Sequence, residues 1–505
     1  MTSAQIAIMT TIILYLCLVI FTGVMIGKRS KKSAEGFYLG GRGMGPLVTA
    51  MSAEASDMSS YLLMGIPGLA YLSGVADASW TAIGLAIGTY LNFLLVARRL
   101  RRYSVELDAI TIPSFISKRY GEKKPIIMGI ASLIILVFFV PYVASGLAAI
   151  GKLFNSLFGW NYMLSVIVGA IVIISYTSVG GFSAVATMDL IQSVIMTVAL
   201  CVIVVFGIVQ AGGMDAVLAH ASSLPGFLSF GQTYNAASGQ AEPYGLIRIV
   251  SMLAWGLGYF GMPHIIVRFM SIEKPSMVKK SAIVACVWVV LSLGAVCLIA
   301  YFGRMLVADE LLPAGQQKTI FIVLARKLFP AFLAGVLLAA IMAASMSTAD
   351  SQLLVASSSF TSDIYKPVFR KNASDKEILW MGRLVVLVVS AIAYVIASSK
   401  GEGAQAIMNM VENAWGGFGS AFGPVVILSL FWRRLSYKGA VAGVVAGALT
   451  DVLWYLFLSG PTGVYELLPG FAVGMLVCVI VSLLDKAPGK EVTDIFDRAI
   501  SKYND

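Results

Sequence analysis

Long apolar stretches alternate with short polar connections along the whole chain. Each stretch is about 20 residues long, which is the length that a helix needs to cross a hydrocarbon layer roughly 30 Å thick. Strands of a membrane barrel would be about 10 residues long and would alternate in polarity, and the stretches here do neither. The pattern therefore predicts an all-α polytopic membrane protein with thirteen spans. The predicted spans are residues 5–27, 46–70, 75–97, 125–150, 161–180, 188–209, 246–267, 281–303, 331–352, 378–398, 404–432, 439–459 and 467–484.

Spans 2 and 7 contain helix-breaking residues where a membrane helix is expected to be regular. Span 2 includes ASDMSSYLLMGIPG at 55–68, and span 7 includes SMLAWGLGYFGMPH at 251–264. Pro removes a backbone donor and Gly weakens a helix, and in lipid the freed backbone groups need a cavity or a ligand. The two spans are an odd number of spans apart, so a five-span repeat that contains them is inverted in the membrane. Matched broken helices in inverted halves are typical of a transporter site near the middle of the membrane.

Composition and charge support this interpretation and add an orientation. The 505 residues are 58% hydrophobic and 12% charged, which is too little charge for a soluble chain of this length. Of the 36 Lys and Arg residues, 29 lie on one side of the predicted membrane. They are in the connections after odd-numbered spans, in the end of span 10 that adjoins the connection after span 9, or in the C-terminal tail. The positive-inside rule then predicts an outside N-terminus and a cytoplasmic C-terminus. The net charge of +10 is interpreted as orientation and contact with anionic lipids rather than as a nucleic-acid surface.

Two smaller features of the composition complete this picture. Four of the seven basic exceptions lie between spans 8 and 9, and the sequence offers no reason for them. These four are Arg304, Lys318, Arg326 and Lys327. The five cysteines all fall within apolar spans without metal-ligand spacing, so they are interpreted as small buried side chains.

Several acids lie within predicted spans, where a charge costs roughly 2.5–3.5 kcal/mol and usually serves a transport pathway. They are Glu54, Asp57, Asp189, Asp350, Glu412 and Asp451. Span 9 ends in AASMSTADSQ, in which Ser347 and Thr348 carry hydroxyls. Because a small hard cation takes oxygen ligands, these hydroxyls and the freed carbonyls of span 2 suit one. Hydrogen bonding of the two hydroxyls to their own helix is equally consistent with the sequence. Glu412 and Asp451 are better explained as packing partners or as residues that face water.

Four stretches together carry a resemblance to a known family. They are GGRGMGPLVTAMSAEASDMSSYLLMGIPG at 40–68, TSVGGFSAVATMD at 177–189, WGLGYFGMPHIIVRFM at 255–270 and AASMSTADSQLL at 343–354. With these stretches the chain resembles the sodium/solute symporter family, and within it the bacterial members that carry proline. The resemblance implies the inverted five-plus-five helix fold of the leucine transporter.

This fold would divide the chain into five parts. They are an extra N-terminal span and loop at 1–45, a first repeat of spans 2–6 at 46–209, an outside loop at 210–245, a second repeat of spans 7–11 at 246–432, and two final spans with a solvated tail at 433–505.

The resemblance also implies functional residues. The sodium ligands would be Ala55, Met58, Ala344, Ser347 and Thr348, with Asp57 as the acid essential for sodium binding and Asp189 near the inner sodium exit path. The substrate-binding residues would be Ser59, Tyr142, Trp255, Tyr259 and Pro263. Glu54, Ser60 and Asp350 depart from the family pattern, so the number of ions and the proton sensitivity stay open.

The implied function is sodium-coupled uptake of L-proline across a bacterial cell membrane by alternating access. One alternative is a relative that carries another amino acid, a sugar, sialic acid or pantothenate. An intramembrane enzyme is disfavoured, because the chain has two histidines and neither a metal-type His pair nor a Gly-x-Ser-x-Gly elbow.

Overall fold

The apolar stretches form helices throughout the part of the chain that the computed structural model describes, residues 1–29, 33–400 and 404–501. The helices of the first half are α1 (Ser3–Arg29), α2 (Ala34–Leu39), α3 (Pro46–Ser60), α4 (Ile66–Ser73), α5 (Val75–Leu91), α6 (Arg98–Glu106), α7 (Ile112–Arg119), α8 (Ile126–Phe158), α9 (Tyr162–Gln210) and α10 (Met214–Ser223). A 3-10 turn at Gly40–Arg42 and π-helical turns at Tyr61–Gly65 and Asn92–Ala97 join some of them.

The second half begins with a hairpin and continues as helices. Its elements are β1 (Gln232–Asn235), β2 (Gln240–Pro243), α11 (Leu246–Leu253), α12 (Pro263–Ser271), α13 (Val278–Leu311), α14 (Ile320–Leu328), α15 (Ala331–Phe360), α16 (Asp375–Lys400), α17 (Ala404–Phe431), α18 (Tyr437–Phe457), α19 (Ser459–Thr462), α20 (Leu467–Leu484) and α21 (Lys490–Ile500). Short 3-10 segments lie at Ala254–Phe260, Pro275–Met277 and Gln317–Thr319, and a π-helical segment at Thr361–Phe369 extends α15.

The structure confirms the predicted fold class, a helical protein with many helices long enough to span a membrane. Ten helices in the described part are long and apolar enough to cross a membrane, and the number is eleven if the pair Leu246–Phe260 and Pro263–Ser271, bent by 43°, counts as one span. The other two predicted spans fall on the interrupted segment formed by α3 and α4 and on a shorter apolar helix at Tyr162–Ser175.

The connection expected between spans 5 and 6 is not a separate loop. Residues from Tyr162 to Gln210 are assigned to helix without a gap, and the chain turns within it at Gly181. There φ is 64° and ψ is −175°, a conformation that is essentially restricted to glycine. A Cβ at this position would lie 2.8 Å from the ring of Phe37, so the close approach of α2 also requires glycine.

The segment 210–245, which was expected to be an outside loop, contains the helix α10 and a hairpin that the sequence did not predict. β1 and β2 pair antiparallel, with Gln232 opposite Pro243. The segment is tied to the start of α5, because Val75 N donates to Phe227 O at 2.8 Å and Trp80 Nε1 donates to Phe230 O at 2.9 Å. It therefore covers one end of the bundle, which we call the hairpin face.

The opposite end joins the start of α3 to the end of α12, and we call it the basic face. Met44 N donates to Ser271 O at 3.1 Å, and Glu273 N donates to Met44 O at 2.9 Å. Because α3 begins where α12 ends, the two interrupted segments run in opposite directions. This is the arrangement expected of inverted repeats.

Some arginines hold the basic face together. The sequence had assigned these residues to membrane orientation and to contact with lipid. Arg42 Nη2 donates to Ala109 O at 2.7 Å, and Arg101 Nε donates to Ile272 O at 2.5 Å. The buried Arg119 lies over the ring of Phe496 in α21, with its guanidinium carbon 5.0 Å from the centroid. The tail that was expected to be solvated thus contains a helix that packs against the basic face.

Candidate functional site

The predicted break in span 2 is confirmed, and it lies at Ser59. This residue has φ 48° and ψ −168°, a region that glycine occupies almost alone and that costs of order 1–3 kcal/mol elsewhere. Its hydroxyl accepts a hydrogen bond from the Tyr61 N–H at 3.2 Å, which partly compensates for the lost helical bonding. Gly65 and Pro67 do not make this break, because the chain is helical again from Ile66 and Pro67 fits in its first turn.

The predicted break in span 7 is also confirmed. Helix α11 passes into the 3-10 segment Ala254–Phe260, and α12 starts only at Pro263. This segment approaches α5 very closely, because a Cβ on Gly88 would lie 2.5 Å from the Cα of Gly256. The glycines of span 7 therefore allow contact between backbones as well as a change of helix type.

Carbonyl and hydroxyl oxygens from span 2 and span 9 meet next to the Ser59 break. Ser347 Oγ donates to Ala55 O at 2.8 Å and lies 3.2 Å from Ala344 O, while Thr348 Oγ1 donates to Ala344 O at 3.1 Å. Met58 lies buried at the same break, and its carbonyl accepts from the Tyr61 N–H. Bonding within α15 explains the Thr348 contact, but it does not explain the bond from Ser347 to another span. These oxygens are the ligand type that a hard cation such as sodium prefers.

Asp57 lies between Ala55 and Met58 in α3, just before the break, and two tyrosines donate hydrogen bonds to it. The Tyr259 hydroxyl donates to Asp57 Oδ2, and the Tyr142 hydroxyl donates to Asp57 O at 3.3 Å. Among the described residues no hydrogen bond joins the Asp57 carboxyl to Ser347 or Thr348. Asp57 thus connects the oxygen cluster to the aromatic residues that were predicted to bind substrate.

Those aromatic residues enclose a small cavity. Trp255 stacks on Tyr61 with centroids 5.2 Å apart and on Tyr465 at 5.4 Å, and Trp415 Nε1 donates to Trp255 O at 2.8 Å. The cavity measures about 10 Å³, close to the space of one water molecule. It is lined by Asp57, Met58, Ser59, Tyr61, Leu85, Tyr142, Trp255, Val411 and Trp415.

The structure brings together most of the predicted substrate residues and adds others. Ser59, Tyr142 and Trp255 line the cavity, and Tyr259 contacts it through Asp57. Pro263 does not line it, because its place is the first turn of α12. Four further residues line the cavity that the sequence did not single out, namely Tyr61, Leu85, Val411 and Trp415. Tyr61 directly follows the polar run at 56–60, and Trp415 precedes two glycines, so both carried a signal that was available.

Asp189 lies in a buried charged network on the basic-face side of the oxygen cluster. Arg268 Nη2 lies 3.0 Å from Asp189 Oδ2, and the two side chains are 1% and 0% exposed. Ser52 Oγ donates to Asp189 Oδ2 at 2.6 Å, and Arg268 donates to Ser52 Oγ at 2.7 Å and to Ser351 Oγ at 2.5 Å. Ser52 precedes Ala55 by one helical turn, which places the network next to the predicted ion site. We call these residues, Ser52, Asp189, Arg268 and Ser351, the inner network.

One member of the inner network, Arg268, lies in a different place from the one that the sequence predicts. Arg268 was counted with the basic residues of a connecting loop, but it is buried within α12. A guanidinium inside a membrane protein needs a partner, and Asp189 supplies it.

A second charged group lies at the hairpin-face end of the cavity. Arg248 Nη2 lies 2.9 Å from Asp77 Oδ2, and the Tyr244 hydroxyl donates to Asp77 Oδ1 at 2.6 Å. Lys318 is buried against Gly68, and burial lowers its pKa to about 8 although the carboxyl of Glu412 opposes this shift.

This group and its surroundings account for basic residues that had no explanation in the sequence. Lys318 is buried here, and Arg304 Nη1 donates to Tyr71 O at 3.3 Å. Lys327 Nζ donates to Leu306 O at 2.8 Å. Of the four basic exceptions between spans 8 and 9, Arg304 and Lys327 therefore donate hydrogen bonds to the backbone and Lys318 is buried.

The remaining acids differ in their surroundings. Asp451 accepts from Ser420 Oγ at 3.1 Å, in line with its expected packing role. Asp350 accepts from Ser351 Oγ at 3.1 Å, next to the inner network. Glu54 is buried, and its Oε2 lacks a hydrogen-bond partner within the described residues. Because an isolated charge is very costly there, Glu54 either is neutral or meets a cation.

Two inverted broken helices, an oxygen cluster at one break and an aromatic cavity beside it define the class as a secondary active transporter. Comparisons with known proteins narrow this class. The chain belongs to the sodium:solute symporter family, whose sequence profile matches residues 37–447. It is 39% identical over 513 aligned positions to the sodium/proline symporter of Escherichia coli K12, with 99% of this chain and 98% of that protein covered. It is 41% identical to the high-affinity proline transporter PutP of Bacillus subtilis 168, with 94% and 98% covered.

A solved structure supports the fold independently. A Na+-coupled sialic acid symporter in a substrate-bound outward-open state superposes with a TM-score of 0.75 at 19% identity, covering 96% of this chain and 99% of that chain. At this identity the likeness concerns the fold alone, and it supports the leucine-transporter type of architecture implied by the sequence.

Proposed function

We propose that this protein is a sodium-coupled L-proline symporter of a bacterial cell membrane that works by alternating access. The observation that carries the proposal is the hydrogen bond from Ser347 to Ala55, at a helix break shared by the oxygen cluster and the aromatic cavity. Two relatives that align over nearly the whole chain support the choice of solutes, because one is named for sodium and proline and the other for proline. The activity is transport and not enzymatic catalysis.

The proposed topology has thirteen spans with the N-terminus outside, so that the basic face is cytoplasmic and the hairpin face is extracellular. The broken segment α3–α4 and the shorter helix at the start of α9 supply the spans beyond the eleven that length and composition identify. The concentration of Lys and Arg on the basic-face connections supports this orientation. The proposed division into a first repeat at 46–209 and a second at 246–432 follows from it.

Sodium is proposed to bind between span 2 and span 9, on the carbonyls of Ala55, Met58 and Ala344 and the hydroxyls of Ser347 and Thr348. The ion would replace the Ser347 donor at Ala55 O, so both hydroxyls could turn their lone pairs toward it. Binding would then hold the broken span 2 against α15. Because the two sites share the break at Ser59, each solute is expected to raise the affinity for the other by the same factor.

Proline is proposed to bind in the aromatic cavity. Its carboxylate suits the start of the helical segment that follows the break at Ser59, because the helix dipole is positive there. Its compact apolar ring suits the faces of Tyr61 and Trp255, and the hydroxyls of Tyr142 and Tyr259 would orient the imino group. A cavity of about 10 Å³ must widen to admit it, so proline entry requires movement of the cavity walls.

The driving force is sufficient for concentrative uptake. One charge that crosses about 100 mV contributes roughly 2.3 kcal/mol, and a tenfold sodium gradient contributes about 1.4 kcal/mol. One sodium ion per proline thus sustains an accumulation of several hundredfold.

The test is uptake of labelled proline into proteoliposomes of the purified full chain, with and without an inward sodium gradient. We expect uptake that requires the gradient and that unlabelled proline abolishes. Excess of another amino acid, a sugar, sialic acid or pantothenate serves as competitor. Sodium-dependent uptake of one of these solutes in place of proline would reject the substrate, and gradient-independent uptake would reject the coupling.

A further inference from the structure

A cavity of about 780 Å³ lies outside the transport site, between span 3 and span 8. Its walls are formed by α5 with the π-helical turn that follows it, and by α13 with the 3-10 turn that precedes it. Tyr90, Leu94, Ile283 and Val287 line it and are each more than half exposed, so the cavity opens sideways where lipid would be. We call it the lateral groove.

The lateral groove is apolar along its length and basic at one end. Arg98 and Lys279 lie at the basic-face end, and both are exposed. The wall from Arg98 back to Tyr90, like that from Lys279 to Val287, covers nine residues, whose eight helical steps span about 12 Å. Half of a hydrocarbon layer is roughly 15 Å thick. The groove therefore matches the depth of one leaflet, with its positive charges at the level of the headgroups.

Chemical complementarity selects the ligand. The charged residues that line the groove are both basic, and Ser276 adds a hydroxyl at the same end. A phosphodiester with net negative charge suits this end, and acyl chains suit the walls. Phosphatidylcholine has the same chains but no net charge, and a soluble phosphate lacks the chains, so neither uses both parts of the groove.

We propose that the lateral groove is a binding site for one anionic phospholipid of the leaflet at the basic face. The lipid would place its phosphate between Arg98 and Lys279 and its acyl chains along span 3 and span 8. Identification of this leaflet as cytoplasmic rests on the topology proposed above, whereas the binding itself does not. The site is next to a transport element, because Ser281 Oγ on α13 donates to Pro46 O at the start of α3 at 2.8 Å.

The test is native mass spectrometry of the purified full chain, which counts bound lipids without any transport. Phosphatidylglycerol and phosphatidylcholine with identical acyl chains are titrated separately. We expect one phosphatidylglycerol to be retained at concentrations where phosphatidylcholine is lost. Equal retention of both lipids would overturn the proposal, and so would displacement of phosphatidylglycerol by equimolar soluble glycerol 3-phosphate.

Neighbouring lysines provide a matched pair of variants. Lys279 lines the groove, whereas Lys280 is also exposed, carries the same charge and does not line it. Lys279→Gln is expected to weaken phosphatidylglycerol binding about fivefold, and Lys280→Gln is expected to leave it unchanged. Equal loss of phosphatidylglycerol binding in the two variants would show that the lipid is attracted to the basic face in general, and would overturn the proposal of a specific site.

A second variant tests the apolar wall without changing charge. Ala282 lines the groove, so Ala282→Phe should fill part of it and weaken phosphatidylglycerol binding by a similar factor. Thermal unfolding in detergent checks that the variant is folded. Full retention of phosphatidylglycerol by folded Ala282→Phe would overturn the proposal. A measured mass of a dimer without bound lipid would also overturn it, because a second copy of the chain would then occupy the groove.

Discussion

The hydrogen bond between Tyr259 and Asp57 is expected to couple the aromatic cavity to sodium binding. Tyr259→Phe removes the donor to a buried carboxyl, and a hydrogen bond to a charged group contributes about 1.5–3 kcal/mol. We therefore expect the sodium concentration for half-maximal proline uptake to rise at least about tenfold. Sodium titration of uptake in proteoliposomes measures this value.

Tyr142→Phe is the matched control for this prediction. It removes the same atom from the same residue type, but the lost bond is a longer one of 3.3 Å to the backbone oxygen of Asp57. Its effect on the sodium requirement should be about threefold or less. Equal sodium requirements in the two variants would contradict the special role of the Asp57 carboxyl.

Ser347 is expected to matter to sodium through its contact across two spans. Ser347→Ala removes the hydroxyl that reaches Ala55 O at 2.8 Å and should weaken sodium binding about tenfold or more. Ser345→Ala is the control, because Ser345 is also buried in α15 but bonds to Ile341 O of its own helix at 2.9 Å. Isothermal calorimetry of sodium binding compares them. Similar sodium affinities in both variants would mean that the Ser347 hydroxyl is an ordinary helical one.

At the scale of elements, the contact between α5 and the interrupted span 7 depends on two facing glycines. A Cβ in Gly88→Ala would lie 2.5 Å from Gly256 Cα, so the backbones must separate. Such overpacking costs about 1–3 kcal/mol and displaces the segment that carries Trp255 and Tyr259. We expect a lower thermal unfolding temperature in detergent and weaker proline uptake.

Gly294→Ala provides the control for this element. Gly294 also lies inside a long helix, but a Cβ there meets no atom within 4 Å. Because Ala favours helix over Gly by about 0.5–1 kcal/mol, this variant should be as stable as the parent or slightly more so. Equal loss of stability in Gly88→Ala and Gly294→Ala would contradict the close-contact explanation.

The elements differ in how well the sequence predicts them, for physical reasons. Apolar length identifies most spans, because burying backbone groups in lipid imposes one solution. The sequence did not identify Ser59 as the position of the break, because Gly65 and Pro67 are stronger local helix breakers than a serine, which rarely adopts the conformation that Ser59 has here. The hairpin at 232–243 is polar on both strands and has no alternation to detect. Arg268 resembles a loop residue until its partner, 79 residues away in the chain, is known.

At the scale of the whole molecule, charged groups lie at both ends of the transport site. The inner network is fully buried, whereas the ion pair of Arg248 and Asp77 at the hairpin-face end, which we call the outer group, has an Arg248 side chain that is 55% exposed. Exposed pairs contribute little, about 0–1 kcal/mol, while breaking a buried pair is strongly unfavourable. The asymmetry gives the two ends different expected roles: the inner network closes the path to the basic face, and the outer group opens with less resistance.

The last prediction tests this closure with Arg268→Gln. The change leaves Asp189 as an unpaired buried charge, so we expect a loss of stability of about 3–5 kcal/mol. The double variant Arg268→Gln with Asp189→Asn removes both charges and should recover much of the stability. The inner network is still absent in the double variant, so labelled proline should equilibrate across the proteoliposome membrane without accumulating under a sodium gradient.

Arg248→Gln in the outer group is the control. Its thermal unfolding temperature and its accumulation of proline should both be close to those of the parent. Thermal unfolding and the steady-state ratio of inside to outside proline measure the two quantities separately. Parental accumulation by the double variant would show that the inner network only stabilises the fold.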